Sequence, residues 1–171
     1  MRAPTPSQTV GPFFRFGMAW ASRREVFPAE SFGAVHLTGR ILDGDGEAVP
    51  DAVVEIFGAD LAGGFPPGWD GFGRCLTDAE GRYGFVTVKP GSIDGYQAPH
   101  LDVSVFARGL LQRLVTRIYF PDEEEANTAD PLLSNIGDRQ RAASLVAVPA
   151  EGGLVFDVRL QGERETVFLA W

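Results

Sequence analysis

Two alternating runs joined by a bend constrain this chain more than any other feature. From His100 to Phe106, Leu101, Val103 and Val105 point one way, while His100, Asp102 and Ser104 point the other. From Arg113 to Phe120, Leu114, Thr116, Ile118 and Phe120 share one face, and Val115, Arg117 and Tyr119 share the opposite one. A period of two belongs to a strand with one buried face. Ala107-Arg108-Gly109 falls between the runs, where a glycine can take the positive φ of a tight bend. The stretch from Tyr96 to Phe120 therefore predicts two strands and a turn. It places an imidazole and a carboxylate side by side on a polar face, with an arginine at the bend.

The same signal recurs along the chain. Val35, Leu37 and Ile41 alternate with His36, Thr38 and Arg40. Ala52 to Ala59, Phe72 to Leu76, Arg82 to Val88 and Leu154 to Leu160 read as further strands. Asp43-Gly44-Asp45-Gly46, Thr77 to Gly81 and Lys89-Pro90-Gly91 are turn signals, and residues 60–71 form an irregular loop. The acidic run Asp122 to Glu125 suits a helix N-terminus, and Asp138 to Ala147 predicts a second short helix. Residues 17–33 carry no assignable pattern. Short strands punctuated by 21 glycines and 12 prolines specify an all-β fold. The expectation is a β-sandwich of mainly antiparallel strands, with long loops and one or two short helices, in a single domain spanning 1–171.

Charge and composition exclude several function classes. The net charge is −8, and only Lys89 among the 15 basic residues is a lysine. No basic patch is visible, which disfavours nucleic acid as a partner. Arginine instead favours fixed contacts to carboxylates. The single Cys75 rules out an internal disulfide and a cysteine zinc site, and its default is a buried thiol. No run approaches the length of a membrane span. Pro4, Pro6, Pro12 and Arg15 interrupt the N-terminus too often for a signal peptide, so a cytoplasmic protein is expected.

His100 and Asp102 are the chemically ambiguous pair. On one strand face they match two thirds of a 2-His-1-carboxylate metal triad. The chain has only one other histidine, His36, and none follows Asp102. The alternative is a hydrogen-bonded His–Asp pair in a partly buried site. His36 itself reads as a strand-face residue. Residues 3–13 hold three prolines and a glycine and cannot form a helix. They are either a loose tail or an extended arm pinned by Phe13, Phe14 and Phe16, a group that seeks burial. The apolar end running to Trp171 is expected to dock.

Taken together, TPSQTVGPFF (5–14), LTGRILDGDGEAVPDAVVEIFGAD (37–60), FGRCLTDAEGRYGFVTVKPG (72–91), APHLDVSVFARG (98–109), TRIYFPDEEEAN (116–127) and LQGERETVF (160–168) resemble the intradiol ring-cleaving dioxygenases. The segments span nearly the whole chain in that family's order. The resemblance implies a β-sandwich, and a catalytic site of non-haem Fe(III) held by two tyrosinates and an H-x-H pair. This sequence departs from that ligand set. His100 matches the first histidine and Asp102 stands in place of the second. The 60–75 loop has no tyrosine, and Ile93 falls at the second tyrosine's place, with Tyr96 nearby.

These departures resemble the α chain of a two-chain member, in which a β chain carries Fe(III) and this chain carries none. The resemblance further implies that residues 1–33 are an arm packing on the β chain. Thr9, Gly11, Pro12, Phe13 and Arg108 would then complete the partner's pocket for an anionic aromatic substrate and O2, within a higher oligomer of αβ pairs. The rival readings are a self-sufficient intradiol dioxygenase using His100, Asp102 and Tyr96, and a non-catalytic β-sandwich binding module.

Overall fold

In the computed structural model, which describes residues 4–170, the alternating runs become a sheet of four strands. β1 (Ala34–Leu42), β2 (Val53–Phe57), β3 (Phe72–Leu76), β4 (Arg82–Val88), β5 (His100–Phe106) and β6 (Leu114–Tyr119) are the principal strands. β3, β2, β5 and β6 lie side by side in that order, all antiparallel. The second sheet runs β4-β1-β8-β7, with β9 also pairing β1; β7 is Val148–Ala150, β8 Gly153–Val155 and β9 Val158–Arg159. Two of its pairings, β1 with β8 and β1 with β9, are parallel. The sheets face each other across one core. Leu37, Ile41, Tyr83 and Phe85 pack there with Val54, Ile56, Leu101, Val103, Val105 and Ile118. The expected β-sandwich is therefore what the chain forms. Cys75 is fully buried in the core, and His36 lies exposed on β1.

The helices differ in number and place from the expectation. α1 (Phe13–Met18) and a 3₁₀ turn (Ala19–Ala21) form where no element was predicted, and neither buries a residue. α2 (Glu124–Ala129) begins after Asp122 and Glu123, which both accept hydrogen bonds from Lys89. α3 (Pro131–Asn135) was not predicted, although Asp130-Pro131 carries the N-cap and first-turn signal. α4 (Arg139–Ala143) is only the first half of the predicted Asp138 to Ala147 helix. Beyond it the chain bridges to β6 at Tyr119: the Leu145 carbonyl accepts from the Tyr119 N–H, and the Ala147 N–H donates to the Tyr119 carbonyl.

The predicted strand from Leu154 to Leu160 is broken at Phe156 and Asp157. The Phe156 carbonyl accepts a 2.5 Å hydrogen bond from the buried Tyr83 hydroxyl, and Asp157 Oδ1 accepts from the Arg40 backbone N–H at 2.9 Å. Gly39 makes this close approach possible, because a Cβ there would sit 1.9 Å from the Phe156 carbonyl oxygen. At the C-terminal end, Val167 is buried, and Leu169 donates its N–H to the Val115 carbonyl at 2.8 Å. The expected docking holds for those residues, while Trp171 lies outside the described residues.

Candidate functional site

The bend after β5 and the N-terminal arm form one structure. Gly109 takes φ +85°, as the bend requires. Val10 pairs with Arg108 in an isolated parallel bridge, and the Val10 N–H donates to the Leu110 carbonyl at 3.2 Å. One turn later Pro12 caps α1 with φ −64°, a value its ring fixes. The sequence-predicted set Thr9, Gly11, Pro12, Phe13 and Arg108 is thus gathered at one end of the sandwich. All five side chains or backbones are exposed there.

Arg108 pairs through Nε with Asp51, whose carboxylate is largely buried, while more than half of the arginine side chain stays exposed. A guanidinium has five N–H donors in a fixed fork, so one anchored edge orients the group and leaves donors for a ligand. Asp51 was not singled out in the sequence, because it belongs to a turn distant from the bend.

The phenylalanines divide. Phe14 packs on Phe106 with ring centroids 5.5 Å apart. Phe13 and Phe16 were expected to seek burial, yet they are 80% and 71% exposed, and Trp20 on the next turn is 84% exposed. Within this chain nothing covers them among the described residues. The arm is tied down at Val10 and Phe14, not loose, and it offers its aromatic side outward.

His100 and Asp102 lie at the far end of β5, about 20 Å from the bend at 3.3 Å per residue. They share a strand face, but Nε2 and Oδ1 are 3.8 Å apart, too far for the hydrogen-bonded pair that was one expectation. His100 is 2% exposed, and its Nδ1–H donates to the Ala98 carbonyl at 2.7 Å. Asp102 instead meets Arg117, its partner in the β5–β6 register: Nε donates to Oδ1 at 2.9 Å. Arg117 Nη1 also donates to Gln97 Oε1 at 2.9 Å. Burial holds the His100 imidazole below its ordinary pKa, against the Ala98 hydrogen bond, and the Arg117 charge adds to that depression.

No tyrosine completes this site as an iron ligand. Tyr96 is 74% exposed in the loop before β5. Tyr119 packs tilted against His100 at 5.6 Å between ring centroids, but its hydroxyl donates to the buried Asp130 at 3.1 Å. Burial pushes that phenol above the ordinary tyrosine range, away from a tyrosinate. A carboxylate already matched to a guanidinium and a phenol held protonated do not fit the donor set of Fe(III), which takes anionic oxygens. Among the described residues no three His, Cys, Asp or Glu side chains converge to hold a metal ion. Arg117, Gln97 and Asp130 were missed in the sequence; the face-sharing of Arg117 with Tyr119 was legible, but its pairing with Asp102 depends on register.

Comparison with known proteins places the chain. The sequence profile of the family described as "Dioxygenase" matches residues 23–162. The protocatechuate 3,4-dioxygenase alpha chain of Burkholderia cepacia is 39% identical over 96% of this chain and 95% of its own length. The protocatechuate 3,4-dioxygenase beta chain of the same organism is 34% identical over 76% of this chain and 65% of its own length. The dioxygenase domain of a carbohydrate-binding fusion protein from Streptomyces sp. SirexAA-E shares the fold, with a TM-score of 0.67 and 24% identity over 82% of this chain and 88% of that one. The chain belongs to the dioxygenase family.

Proposed function

We propose that this chain is the α subunit of a protocatechuate 3,4-dioxygenase, a single domain whose residues 1–33 form an arm against an iron-bearing β chain. Together the pair would cleave 3,4-dihydroxybenzoate with O2 to 3-carboxy-cis,cis-muconate, in the cytoplasm and within a higher oligomer of αβ pairs. The alignment supports the α assignment, since the alpha-chain relative matches 96% of the chain and the beta-chain relative 76%.

The observation that carries the reading is a separation of roles along β5. At one end, the ligand-like Asp102 is engaged by Arg117, His100 is buried and bonded to the Ala98 carbonyl, and no tyrosinate stands beside them. At the other, an anchored arginine and a rigid Thr9–Phe13 turn face outward beside exposed aromatic rings. The second end suits completion of a neighbour's pocket. Arg108 would hold the carboxylate or the developing negative charge of the substrate. Gly11-Pro12 would form a narrow wall, Thr9 would supply a hydroxyl, and Phe13 would exclude water from the ring. Iron and its chemistry would belong to the partner.

Co-expression with a β chain tests this. A soluble complex of equal chain numbers, with iron and ring cleavage that neither chain shows alone, is the expected result. Stoichiometric iron with a tyrosinate absorption band in this chain alone would overturn it in favour of a self-sufficient dioxygenase. A stable free monomer that binds neither partner nor metal would mark a binding module.

A further inference from the structure

Antiparallel register sets Arg117 across from Asp102 and Tyr119 across from His100. Two oxygen acceptors hold the guanidinium, and an imidazole nitrogen lies beside one of them. Asp102 Oδ1 and Gln97 Oε1 each accept from it at 2.9 Å, and His100 Nε2 faces the same Asp102 oxygen at 3.8 Å. The Arg117 side chain is only 15% exposed, so the fork is fixed between its acceptors. His100 donates Nδ1–H to a backbone carbonyl, which leaves the Nε2 lone pair directed away from that bond. That posture is the one a metal-binding imidazole adopts. An imidazole nitrogen, a carboxylate oxygen and an amide oxygen are also a hard-metal donor set. Here the positive charge between the two oxygens is a side chain.

We propose that Arg117 is a built-in cation: it takes the place a metal ion would hold between Asp102 and Gln97, with His100 beside Asp102, and it keeps this pocket metal-free. The inference deepens the reading of the chain as an iron-free subunit and rests on it. Three physical points support it. Asp102 is already neutralised, so an arriving divalent ion would gain little from the carboxylate and would be repelled by the guanidinium. Asp102 Oδ1, the oxygen that faces His100 Nε2, already accepts from Arg117, so a metal ion joining those two atoms would compete with a charge-assisted hydrogen bond. And the planar fork reaches two acceptors at once, as a metal ion would, whereas a lysine offers a point charge.

The contacts also organise structure as a metal would. Gln97 closes the loop before β5: its backbone N–H donates to the Ile93 carbonyl at 3.1 Å, and its carbonyl accepts from the Ser92 hydroxyl at 2.8 Å. Through Gln97 and Asp102, Arg117 cross-links that loop, β5 and β6.

The test uses the assembled αβ complex with iron-loaded β chain, and Co(II) or Zn(II) as the probe. Arg117→Gln keeps a hydrogen-bond donor and removes the charge. Metal beyond the β-chain iron should bind at least about tenfold tighter in R117Q than in the parent. It should raise the melting temperature of R117Q only, because a ligand stabilises the state that binds it. Adding His100→Ala to R117Q should abolish both effects. An assembled R117Q complex that takes up no more metal than the parent overturns the proposal. If R117Q does not assemble, Arg117→Lys decides. An R117K complex that assembles and stays metal-free shows that the pocket needs a cation and supports the proposal. Failure of R117K as well would show that the fork's shape alone matters, and overturn it. Iron in the parent chain by itself would instead remove the functional reading on which the inference rests.

Discussion

The backbone of Val10 is bridged to that of Arg108, and the Val10 N–H reaches the Leu110 carbonyl at 3.2 Å. The arm and the β5–β6 bend are therefore joined through their backbones. The bend is in turn anchored in the body of the fold, because Arg108 pairs with the mostly buried Asp51. A guanidinium held by a buried carboxylate has a fixed direction, which is what a residue completing a neighbouring pocket requires.

Arg108→Ala should lower kcat/KM of the αβ complex. A hydrogen bond to a charged group is worth roughly 1.5–3 kcal/mol, which corresponds to about a ten- to hundred-fold loss. Iron content and assembly should not change. Asp51→Asn should have a smaller effect in the same direction, since the arginine stays but its orientation loosens. Steady-state kinetics and the stability of the complex decide between roles. If R108A destabilises the complex while kcat/KM of the intact enzyme is unchanged, the residue only supports the Asp51 turn.

Deleting residues 1–12 removes the first part of the arm, and with it the Val10 bridge to Arg108. The β-chain iron should remain and turnover of 3,4-dihydroxybenzoate should fall. The Arg108 segment loses its backbone partner as well, so the loss should exceed that of R108A. Unchanged kcat/KM in a fully assembled truncated complex would show that the arm takes no part in the pocket.

The strands were legible wherever one face alone is apolar. β3, β4 and β5 fall where the sequence places them, because Leu101, Val103 and Val105 or Tyr83 and Phe85 mark the buried face at every second residue. The break at Phe156–Asp157 was not legible, since alternation continues through it; the cause is a contact from Tyr83, far away in the chain. α1 escaped notice for a related reason. It buries no residue, contains Gly17 and has no side-chain cap, so no local rule points to a helix. The positions of Thr9 to Phe13 and Arg108 came from a family resemblance, and the fold brings them to one end. The Arg117–Asp102 pair needed register, which a single strand's periodicity does not contain.

Asp130→Ala should be among the most destabilising substitutions in the cluster of Ala98, Tyr119, Leu133, Leu145 and Val167. The carboxylate is fully buried. It caps α3 by accepting from the Leu132 and Leu133 N–H groups at 2.8 and 3.1 Å. It also accepts from the Ala98 N–H at 2.9 Å and the Tyr119 hydroxyl at 3.1 Å. Loss of a cap costs roughly 0.5–2 kcal/mol, and each buried donor left unpaired adds about 1–3 kcal/mol. A combined loss of about 3 kcal/mol or more is expected by denaturant unfolding of the complex. Tyr119→Phe removes only one of these donors together with its partner's bond, so it should cost much less. Equal effects of the two substitutions would show that the cap and the Ala98 contact contribute nothing.

His100 should make the complex less stable in mild acid. Its pKa in the folded chain lies below the ordinary 6.5, chiefly because burial disfavours the charged ring. The unfolded chain therefore binds a proton at a higher pH than the folded chain does. In the interval between the two values the unfolded state carries more protons, so stability rises with pH there. The contribution is fully present above about 6.5, the unfolded value, and is lost as pH falls below it toward the folded value. Melting temperatures measured between neutral and mildly acidic pH should fall for the parent, and the fall should be shallower in His100→Gln. A parent and H100Q whose melting temperatures track one another across that range would mean that the buried imidazole contributes nothing to the acid sensitivity.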